Sequence, residues 1–386
     1  MLKKVEVHGY CDERFEIVKE AFLKNFEDDL EVGASFAATI NGEFVVDIWA
    51  GYANASKTIP WERDTIVNVY STTKVMTVLC TLMCVDNGLL DLDAPVAKYW
   101  PEFAQAGKEK IPVRYILSHT SGLSGFEKKL RTKTLYDWDQ VVNILAAQKP
   151  WWEPGTKSGY HSLTYGYILG ELVRRVTGKS LGTFFREEVA IPLNVDFHIG
   201  FSEEHDSRVG ELIPPDFDLN ELAATIEPGS IAMKTLVNPT LTAKEPLTRA
   251  WRAAEIPAAN GHGNARSVAK IGAALACGGE LDNIRLLSSN TIDTAIEEQI
   301  YDTDLVLLYP VRFCLGFGLN SKEINLGPNP RTFYWGGFGG SVIAMDPDAK
   351  TSFSYVMNKM VWNPGIPSDP RTVRLGDAFN NVLDTL

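Results

Sequence analysis

One serine and one lysine in this chain are spaced for nucleophilic chemistry. They belong to Ser71-Thr72-Thr73-Lys74, which opens an apolar run that continues to about residue 86. Residues three apart on a helix share a face, with Cβ atoms roughly 5–6 Å apart. A serine hydroxyl needs a neighbouring base, and a lysine at a buried helix start can serve, because burial and the helix dipole both disfavour its ammonium form. The amides of the same helix start could bind a developing oxyanion.

A third candidate, Tyr160, lies in Tyr160-His161-Ser162, shortly after the turn-forming pair Pro154-Gly155. A phenol beside a serine and a lysine could relay a proton, provided that the lysine's charge lowers its pKa. Ser162 is expected to cap the helix that follows. The alternative is a tyrosine packed at a helix start, and the local sequence alone favours that alternative.

Glycines concentrate at a predicted strand edge, in Tyr334-Trp335-Gly336-Gly337-Phe338-Gly339-Gly340-Ser341. Glycine lets a ligand approach the backbone closely, and main-chain N–H groups there could form half of an oxyanion hole. A β-bulge or a tight hairpin would explain the same glycines, and glycine alone does not decide between these interpretations.

Two further serine motifs have structural explanations. Ser267-Val268-Ala269-Lys270 repeats the Ser-x-x-Lys spacing, but it follows a glycine-rich loop, and Ser267 is expected to be a helix N-cap. Gly178-Lys179-Ser180-Leu181-Gly182 spells the nucleophile elbow of α/β-hydrolases, which requires a strand before the serine. Here Gly178 ends one predicted helix and Ser180 starts another, so Ser180 is also expected to be an N-cap.

The histidines and loops give no indication of a metal or nucleotide site. The six histidines form no HExxH or HxH cluster, and no GxGxxG or Walker sequence is present. His119, in Leu117-Ser118-His119-Thr120-Ser121-Gly122-Leu123, is expected to be a hydrogen-bonded structural histidine rather than a general base. We therefore predict neither a metal nor a cofactor.

Hydrophobic periodicity predicts strands towards both ends of the chain and helices between them, an α+β arrangement. Residues 14–29 form an amphipathic helix, 34–52 a hairpin turning at Asn41-Gly42, and 71–86 a buried helix that is apolar on every side. The remaining predicted elements are an extended run over 65–70, helices over 163–177, 267–277 and 370–386, strands over 311–318, 331–335, 341–346 and 351–358, and an irregular, pocket-forming stretch over 201–258.

The composition is that of a globular protein, and it excludes some partners. The chain has 386 residues, 45% of them apolar, and a formal net charge of -12. Scattered acidic charge disfavours nucleic acid and anionic membranes as partners and leaves a small-molecule substrate. Five cysteines without a CxxC pair, and an N-terminus with two lysines but no apolar stretch after them, favour a cytoplasmic setting. Assembly into a homo-oligomer is left open.

Taken in order, these segments resemble the class C β-lactamase-like superfamily of serine hydrolases and, within it, the family VIII carboxylesterases. The resemblance spans most of the chain and is weakest over 201–258. It is carried by Ser71-Thr72-Thr73-Lys74, Gly88-Leu89-Leu90-Asp91-Leu92-Asp93-Ala94-Pro95-Val96, Leu117-Ser118-His119-Thr120-Ser121-Gly122-Leu123, Pro154-Gly155 leading to Tyr160, Pro192-Leu193 and Trp335-Gly336-Gly337.

The resemblance implies one catalytic domain over residues 1–386. An antiparallel sheet flanked by helices, from 1–70 with 285–386, would meet an inserted, mainly helical lobe over 71–284. Ser71 would be the nucleophile, Lys74 the base and Tyr160 a proton shuttle or co-base, with the amides of Ser71 and Phe338 as the oxyanion hole. How the base role divides between Lys74 and Tyr160 stays open, because coupled groups titrate together.

Two departures from the family pattern bear on the substrate. β-Lactamases and penicillin-binding proteins carry Lys-Thr-Gly where this chain has Trp335-Gly336-Gly337, so a lysine that helps hold a substrate carboxylate becomes an apolar ring. Tyr160-His161-Ser162 replaces Tyr-x-Asn and lacks its amide. Both changes favour a carboxylesterase acting on small or short-acyl esters. A β-lactamase, a D-amino-acid peptidase or amidase, and a relative without catalysis remain as alternatives.

Overall fold

The computed structural model describes residues 5–215, 226–361 and 369–386. In chain order its strands are β1 (Val7–Cys11), β2 (Gly33–Ile40), β3 (Glu43–Gly51), β4 (Val67–Asn68), β5 (Phe197–His198), β6 (His262–Gly263), β7 (Glu280–Leu281), β8 (Ile284–Arg285), β9 (Ile300–Thr303), β10 (Pro310–Phe313), β11 (Gly318–Leu319), β12 (Phe333–Gly336), β13 (Val342–Asp346) and β14 (Thr351–Met357).

The α-helices are α1 (Glu16–Glu27), α2 (Thr73–Asp86), α3 (Val96–Tyr99), α4 (Val113–Leu117), α5 (Trp138–Ala147), α6 (Thr164–Thr177), α7 (Leu181–Phe185), α8 (Ile191–Leu193), α9 (Ile231–Leu236), α10 (Arg249–Ala253), α11 (Ala265–Ala276), α12 (Ser289–Ala295) and α13 (Pro370–Leu383). Short 3₁₀ turns lie at Glu13–Phe15, Tyr70–Thr72, Pro101–Gly107, Thr132–Tyr136, Glu203–Arg208 and Glu245–Leu247, and a π turn lies at Arg186–Ala190.

Nine of these strands form one antiparallel sheet in the order β1-β3-β2-β14-β13-β12-β11-β10-β9. The sheet joins residues 7–51 to residues 300–357, and most of the helices lie between them in the chain. The predicted α+β class and the antiparallel sheet are confirmed. β2 and β3 turn at Asn41 and Gly42, whose φ angles of 51° and 88° suit the expected two-residue hairpin turn.

Two strands of the nine-stranded sheet and the short strands β5 to β8 were not predicted from the sequence, and one predicted strand is divided. β1 and β9 are the outer strands of the sheet, where few side chains are buried. The strand expected over 311–318 is instead β10 and β11, joined by a turn in which the Cys314 amide donates to the Phe317 carbonyl. Gly316 permits that turn with a φ of 99°.

The helix caps correct two predictions and confirm a third. Asn264, not Ser267, caps α11, and its side chain accepts from the Ser267 amide. Leu163, not Ser162, is the N-cap residue of α6, and no side chain caps that helix. Ser180 caps α7 as expected, since its hydroxyl accepts from the Thr183 amide.

The predicted division into lobes at residues 71 and 284 stays a prediction. Within the range expected for the helical lobe, α11 packs on the sheet, and the Ala265 amide donates to the Ser35 hydroxyl at 3.2 Å. Residues 1–4 and 216–225, which include the N-terminal lysines and part of the irregular stretch, lie outside the described residues. No helix in the described part of the chain is long and apolar enough to cross a membrane.

Candidate active site

Ser71 lies in a 3₁₀ turn, Tyr70–Thr72, that leads directly into α2. Tyr70 has a left-handed backbone with a φ of 42°, which is costly for a residue with a Cβ. The turn is held from both sides, because the Thr73 hydroxyl donates to the Tyr70 carbonyl at 2.5 Å and accepts from the Gly261 amide at 2.8 Å. Ser71 is thus half-exposed on a rigid support.

Lys74 lies on the first turn of α2 and is completely buried. Its Nζ is 3.2 Å from Ser71 Oγ, so the two side chains share one helix face as the spacing predicts. The amine also donates to the carbonyls of Ser162 at 2.7 Å and Ala258 at 2.9 Å. The burial of Lys74 follows from its place on α2, a helix in which nearly all side chains, including Cys80 and Cys84, are buried.

Tyr160 reaches the same point from a different part of the chain. Its Oη lies 2.5 Å from Ser71 Oγ and 2.7 Å from Lys74 Nζ. The structure therefore brings Ser71, Lys74 and Tyr160 into one hydrogen-bonded group. The local sequence favoured a tyrosine merely packed at a helix start, and only its combination with the other motifs pointed to this position.

Burial shifts the pKa values of the two titratable members of this group in opposite directions. Desolvation holds the pKa of Lys74 well below that of an ordinary lysine, since the charged amine is the disfavoured form. Desolvation also raises the pKa of Tyr160, and the hydrogen bond with Ser71 opposes that shift in part. Both effects favour a neutral amine beside a neutral phenol.

The segment that carries Tyr160 is fixed by groups that sequence analysis did not assign to the site. His119 accepts from the Gly159 amide through its carbonyl and from the His161 amide through Nδ1, both at 3.0 Å. This agrees with the expected structural histidine, and burial holds the pKa of His119 well below its usual value. The Tyr160 amide donates to a buried carboxylate, Asp304 Oδ1, at 3.0 Å.

The glycine-rich segment forms the turn between β12 and β13. It also contacts the chain around the Tyr70–Thr72 turn. The Gly337 amide donates to the Ser341 carbonyl at 2.7 Å, which closes the hairpin. A Cβ on Gly337 would lie 2.1 Å from the Val69 carbonyl oxygen, so only glycine fits. Ser341, not singled out beforehand, bonds the Thr72 hydroxyl at 3.0 Å and donates to the Val69 carbonyl at 2.8 Å. The tight hairpin expected as one explanation of the glycines is therefore present, and the oxyanion role stays a prediction.

Comparison with known proteins agrees with this geometry. A family model described as Beta-lactamase matches residues 22–378.

The chain belongs to the beta-lactamase family.

Among its relatives, the Esterase/beta-lactamase LipL of Mycobacterium tuberculosis is 36% identical over 369 residues, which is 92% of this chain and 83% of that protein. A crystal structure of a family VIII carboxylesterase superposes with a TM-score of 0.90 at 43% identity, covering 98% of this chain and 100% of that chain. A penicillin-binding protein homologue from Caulobacter crescentus gives a TM-score of 0.88 at 38% identity with the same coverage. The family resemblance expected from the sequence motifs is confirmed.

Trp335, the predicted counterpart of the lysine in Lys-Thr-Gly, lies on β12. Its ring stacks on His119 with centroids 5.5 Å apart and lies 5.8 Å from the Tyr160 ring. Only 6% of the side chain is exposed, so the ring packs behind the phenol more than it lines open solvent. The Phe338 ring meets the Tyr70 ring edge to face, with centroids 5.5 Å apart.

The irregular stretch 201–258 contributes main-chain groups to this family site. The Tyr70 hydroxyl donates to the Thr242 carbonyl at 3.3 Å. At the end of the stretch, the Ala258 carbonyl accepts from the Lys74 amine. A side-chain motif search could not find these carbonyls, because every residue type carries one.

Ser180 and Ser267, the serines of the two other motifs, take no part in the hydrogen-bonded group around Ser71. Ser180 donates to Glu255 at 2.6 Å, and Ser267 accepts from the Asp196 amide at 2.8 Å. Lys270, the lysine of the second Ser-x-x-Lys sequence, instead lies 3.0 Å from Asp282. Across the described ranges, no three His, Cys, Asp or Glu side chains are grouped so that they could hold a metal ion.

Proposed function

We propose that this protein is a serine carboxylesterase that hydrolyses small or short-acyl esters through an acyl-enzyme on Ser71. The observation that carries the proposal is the mutual contact of Ser71 Oγ, Lys74 Nζ and Tyr160 Oη at 2.5–3.2 Å. A nucleophile within reach of a base, and the base within reach of a third group, is the arrangement that activates a serine.

The names of similar proteins support the class of reaction. Likeness over nearly the whole chain to an esterase/beta-lactamase and to a family VIII carboxylesterase makes this chain a serine ester hydrolase. The short-acyl preference and the roles of Lys74 and Tyr160 are the finer parts of the proposal.

In the proposed proton path, Tyr160 relays a proton from Ser71 to Lys74. A neutral amine has two N–H groups and one lone pair. The Ser162 and Ala258 carbonyls take both N–H groups of Lys74, which leaves the lone pair for the hydroxyl hydrogen of Tyr160. Tyr160 Oη then accepts from Ser71. Lys74 is thus the final proton acceptor, and the phenol stays protonated between steps.

In acylation, Ser71 Oγ attacks the ester carbonyl carbon while its proton passes to Tyr160 Oη and the phenol proton passes to Lys74. Collapse of the tetrahedral intermediate breaks the bond to the alcohol oxygen, and the relay returns a proton to that leaving group. In deacylation, water gives a proton to the same relay and attacks the acyl carbon. Ser71 leaves with the returned proton, so the acid, the alcohol and the starting enzyme are the products.

The amides of Ser71 and Phe338 are the proposed donors to the oxyanion. The proposal is supported by two observations: Ser71 lies directly ahead of α2, and Gly337, the residue before Phe338, packs against the Val69 carbonyl. Preorganised amides stabilise the negative charge that develops only in the transition state.

A neutral substrate is favoured by the replacement at Trp335. A carboxylate-bearing β-lactam or peptide would lose the cation that Lys-Thr-Gly supplies, whereas a neutral ester needs none. We place the enzyme in the cytoplasm, as all five cysteines are free thiols. The only partner we propose is the small ester.

The test compares Ser71→Ala with the wild type on p-nitrophenyl acetate and butyrate. We expect the variant to lose nearly all turnover and all labelling by a fluorophosphonate. Equal turnover by both proteins would disprove the proposal. A chromogenic cephalosporin assayed in parallel should be hydrolysed more slowly than the esters, and the reverse order would favour the β-lactamase alternative.

A further inference from the structure

Tyr160 lies in a segment without regular secondary structure, just before α6. Its placement therefore depends on the contacts of its main chain rather than on a helix or strand. One such contact comes from Asp304, 144 residues further along the chain in the loop between β9 and β10, whose Oδ1 accepts from the Tyr160 amide at 3.0 Å.

Asp304 is unusual because it is a carboxylate with no exposed surface. Burial of a charge is costly unless hydrogen bonds compensate for it. Besides the Tyr160 amide, the same Oδ1 accepts from the amides of Val306 at 2.8 Å and Leu307 at 2.9 Å. Burial raises the pKa of Asp304, and the hydrogen bonds from these amides, together with the nearby Ser158 hydroxyl, oppose that rise only in part.

The loop contacts the tyrosine segment a second time. The Leu305 amide donates to the Ser158 carbonyl at 2.9 Å. Two hydrogen bonds, one on each side of Gly159, therefore attach the loop 304–309 to the segment that carries the phenol. His119 holds the same segment through the neighbouring amides, so the tyrosine main chain is clamped between two parts of the structure.

We propose that Asp304 is a positioning residue for the reaction: its carboxylate holds the Tyr160 main chain so that the phenol lies between Ser71 and Lys74. The proposal rests on the proposed function of those three residues. Asp304 touches no reacting atom. Its hydrogen bonds with the Val306 and Leu307 amides fix the conformation of the loop 304–309. Its hydrogen bond with the Tyr160 amide then fixes the position of the tyrosine main chain relative to that loop. A displacement of about 1 Å at such a relay can cost on the order of 10²-fold in rate.

Three variants separate this role from a purely structural one. Asp304→Ala removes the acceptor, and Asp304→Asn keeps an oxygen for the three amides without the charge. Asp302→Asn is the matched control, because Asp302 lies in the same hairpin and its side chain forms an exposed ion pair with Lys157. Each protein is titrated with a fluorophosphonate, so that kcat refers to competent Ser71 sites only, and its melting temperature is measured.

For Asp304→Ala we expect kcat per titrated site to fall about 10²-fold with little change in KM. Asp304→Asn should retain kcat within about tenfold, and Asp302→Asn should match the wild type. If alanine prevents folding, Asp304→Leu takes its place, since leucine also lacks an acceptor. Wild-type kcat per site in a folded Asp304→Ala or Asp304→Leu protein would overturn the proposal, and so would a 10²-fold loss in folded Asp304→Asn, since that would assign the effect to charge.

A double-mutant cycle with Tyr160→Phe provides the second readout. If Asp304 acts through the phenol, Asp304→Ala should lower kcat much less in the Tyr160→Phe background than in the wild type. Equal losses in both backgrounds would show that Asp304 acts independently of Tyr160. The Ser71→Ala protein, assayed beside the cycle, keeps the two proposals distinct. Activity without Ser71 would reject the function itself, whereas additive losses with Ser71 essential would reject only the role of Asp304.

Discussion

At the scale of residues, the site depends on one buried amine. Lys74 meets hydroxyls and carbonyls, and no salt bridge to it is present in the described part of the chain. The contact between Ser71 and Lys74 could be predicted from the sequence, because side chains three residues apart on a helix lie on the same face. Tyr160 and Asp304 could not be predicted in this way, since Tyr160 contacts Ser71, and Asp304 contacts Tyr160, from distant parts of the chain.

The role of the phenol can be measured with Tyr160→Phe. The substitution removes the hydroxyl that lies between Ser71 and Lys74 and leaves the ring in place against Trp335. We expect kcat to fall on the order of 10²–10⁴-fold, the range for one acid–base group, with the melting temperature nearly unchanged. Steady-state kinetics on p-nitrophenyl butyrate provide the measurement, and a wild-type rate would remove Tyr160 from the mechanism.

The pH dependence follows from the opposite pKa shifts of the same pair. Lys74 acts as a base only when neutral, so kcat/KM should rise through its lowered pKa, well below the value of about 10.4 for an ordinary lysine. Because the pKa of Tyr160 is raised, the plateau should extend to at least about pH 10. The profile is recorded with spontaneous hydrolysis subtracted. A rise that continues to about pH 10 before it levels off would show that the lysine is an ordinary one.

At the scale of elements, the proposed nucleophile and Ser180 lie at helix starts of different geometry. Ser71 precedes α2 in a 3₁₀ turn behind a left-handed Tyr70, whereas Ser180 is a regular N-cap. The sequence predicted the helix after Ser71 but not this turn, because a tyrosine rarely adopts a positive φ and no local signal marks it. Strained residues of this kind persist where the surrounding structure over-determines them, as at active sites.

Ser180→Ala tests that distinction. The change removes the acceptor of the Thr183 amide and the donor to Glu255. We expect the free energy of unfolding to fall by about 1 kcal/mol while kcat and KM stay at wild-type values. Denaturant titration and ester kinetics on one preparation give both quantities. An inactive but folded variant would mean that the glycine-flanked serine had been rejected wrongly.

At the scale of the whole molecule, the sequence predicted the inner strands better than the outer ones. β13 and β14 are buried along their full length, and both carry the apolar, β-branched and aromatic residues that favour strands. β1 has exposed residues at its centre and gives no such pattern. The order of the strands in the sheet could not be predicted from the sequence, since hydrophobic periodicity indicates which face of a strand is buried and not which strand lies beside it.

The pairing of β2 with β14 has a consequence for how the protein is made. Thr39 and Ser352, which meet across these strands, are 313 residues apart. During synthesis on the ribosome, one edge of β2 therefore stays unpaired until residues 351–357 have emerged. An open strand edge can pair with another chain, so aggregation through β2 can begin in the interval before β14 emerges.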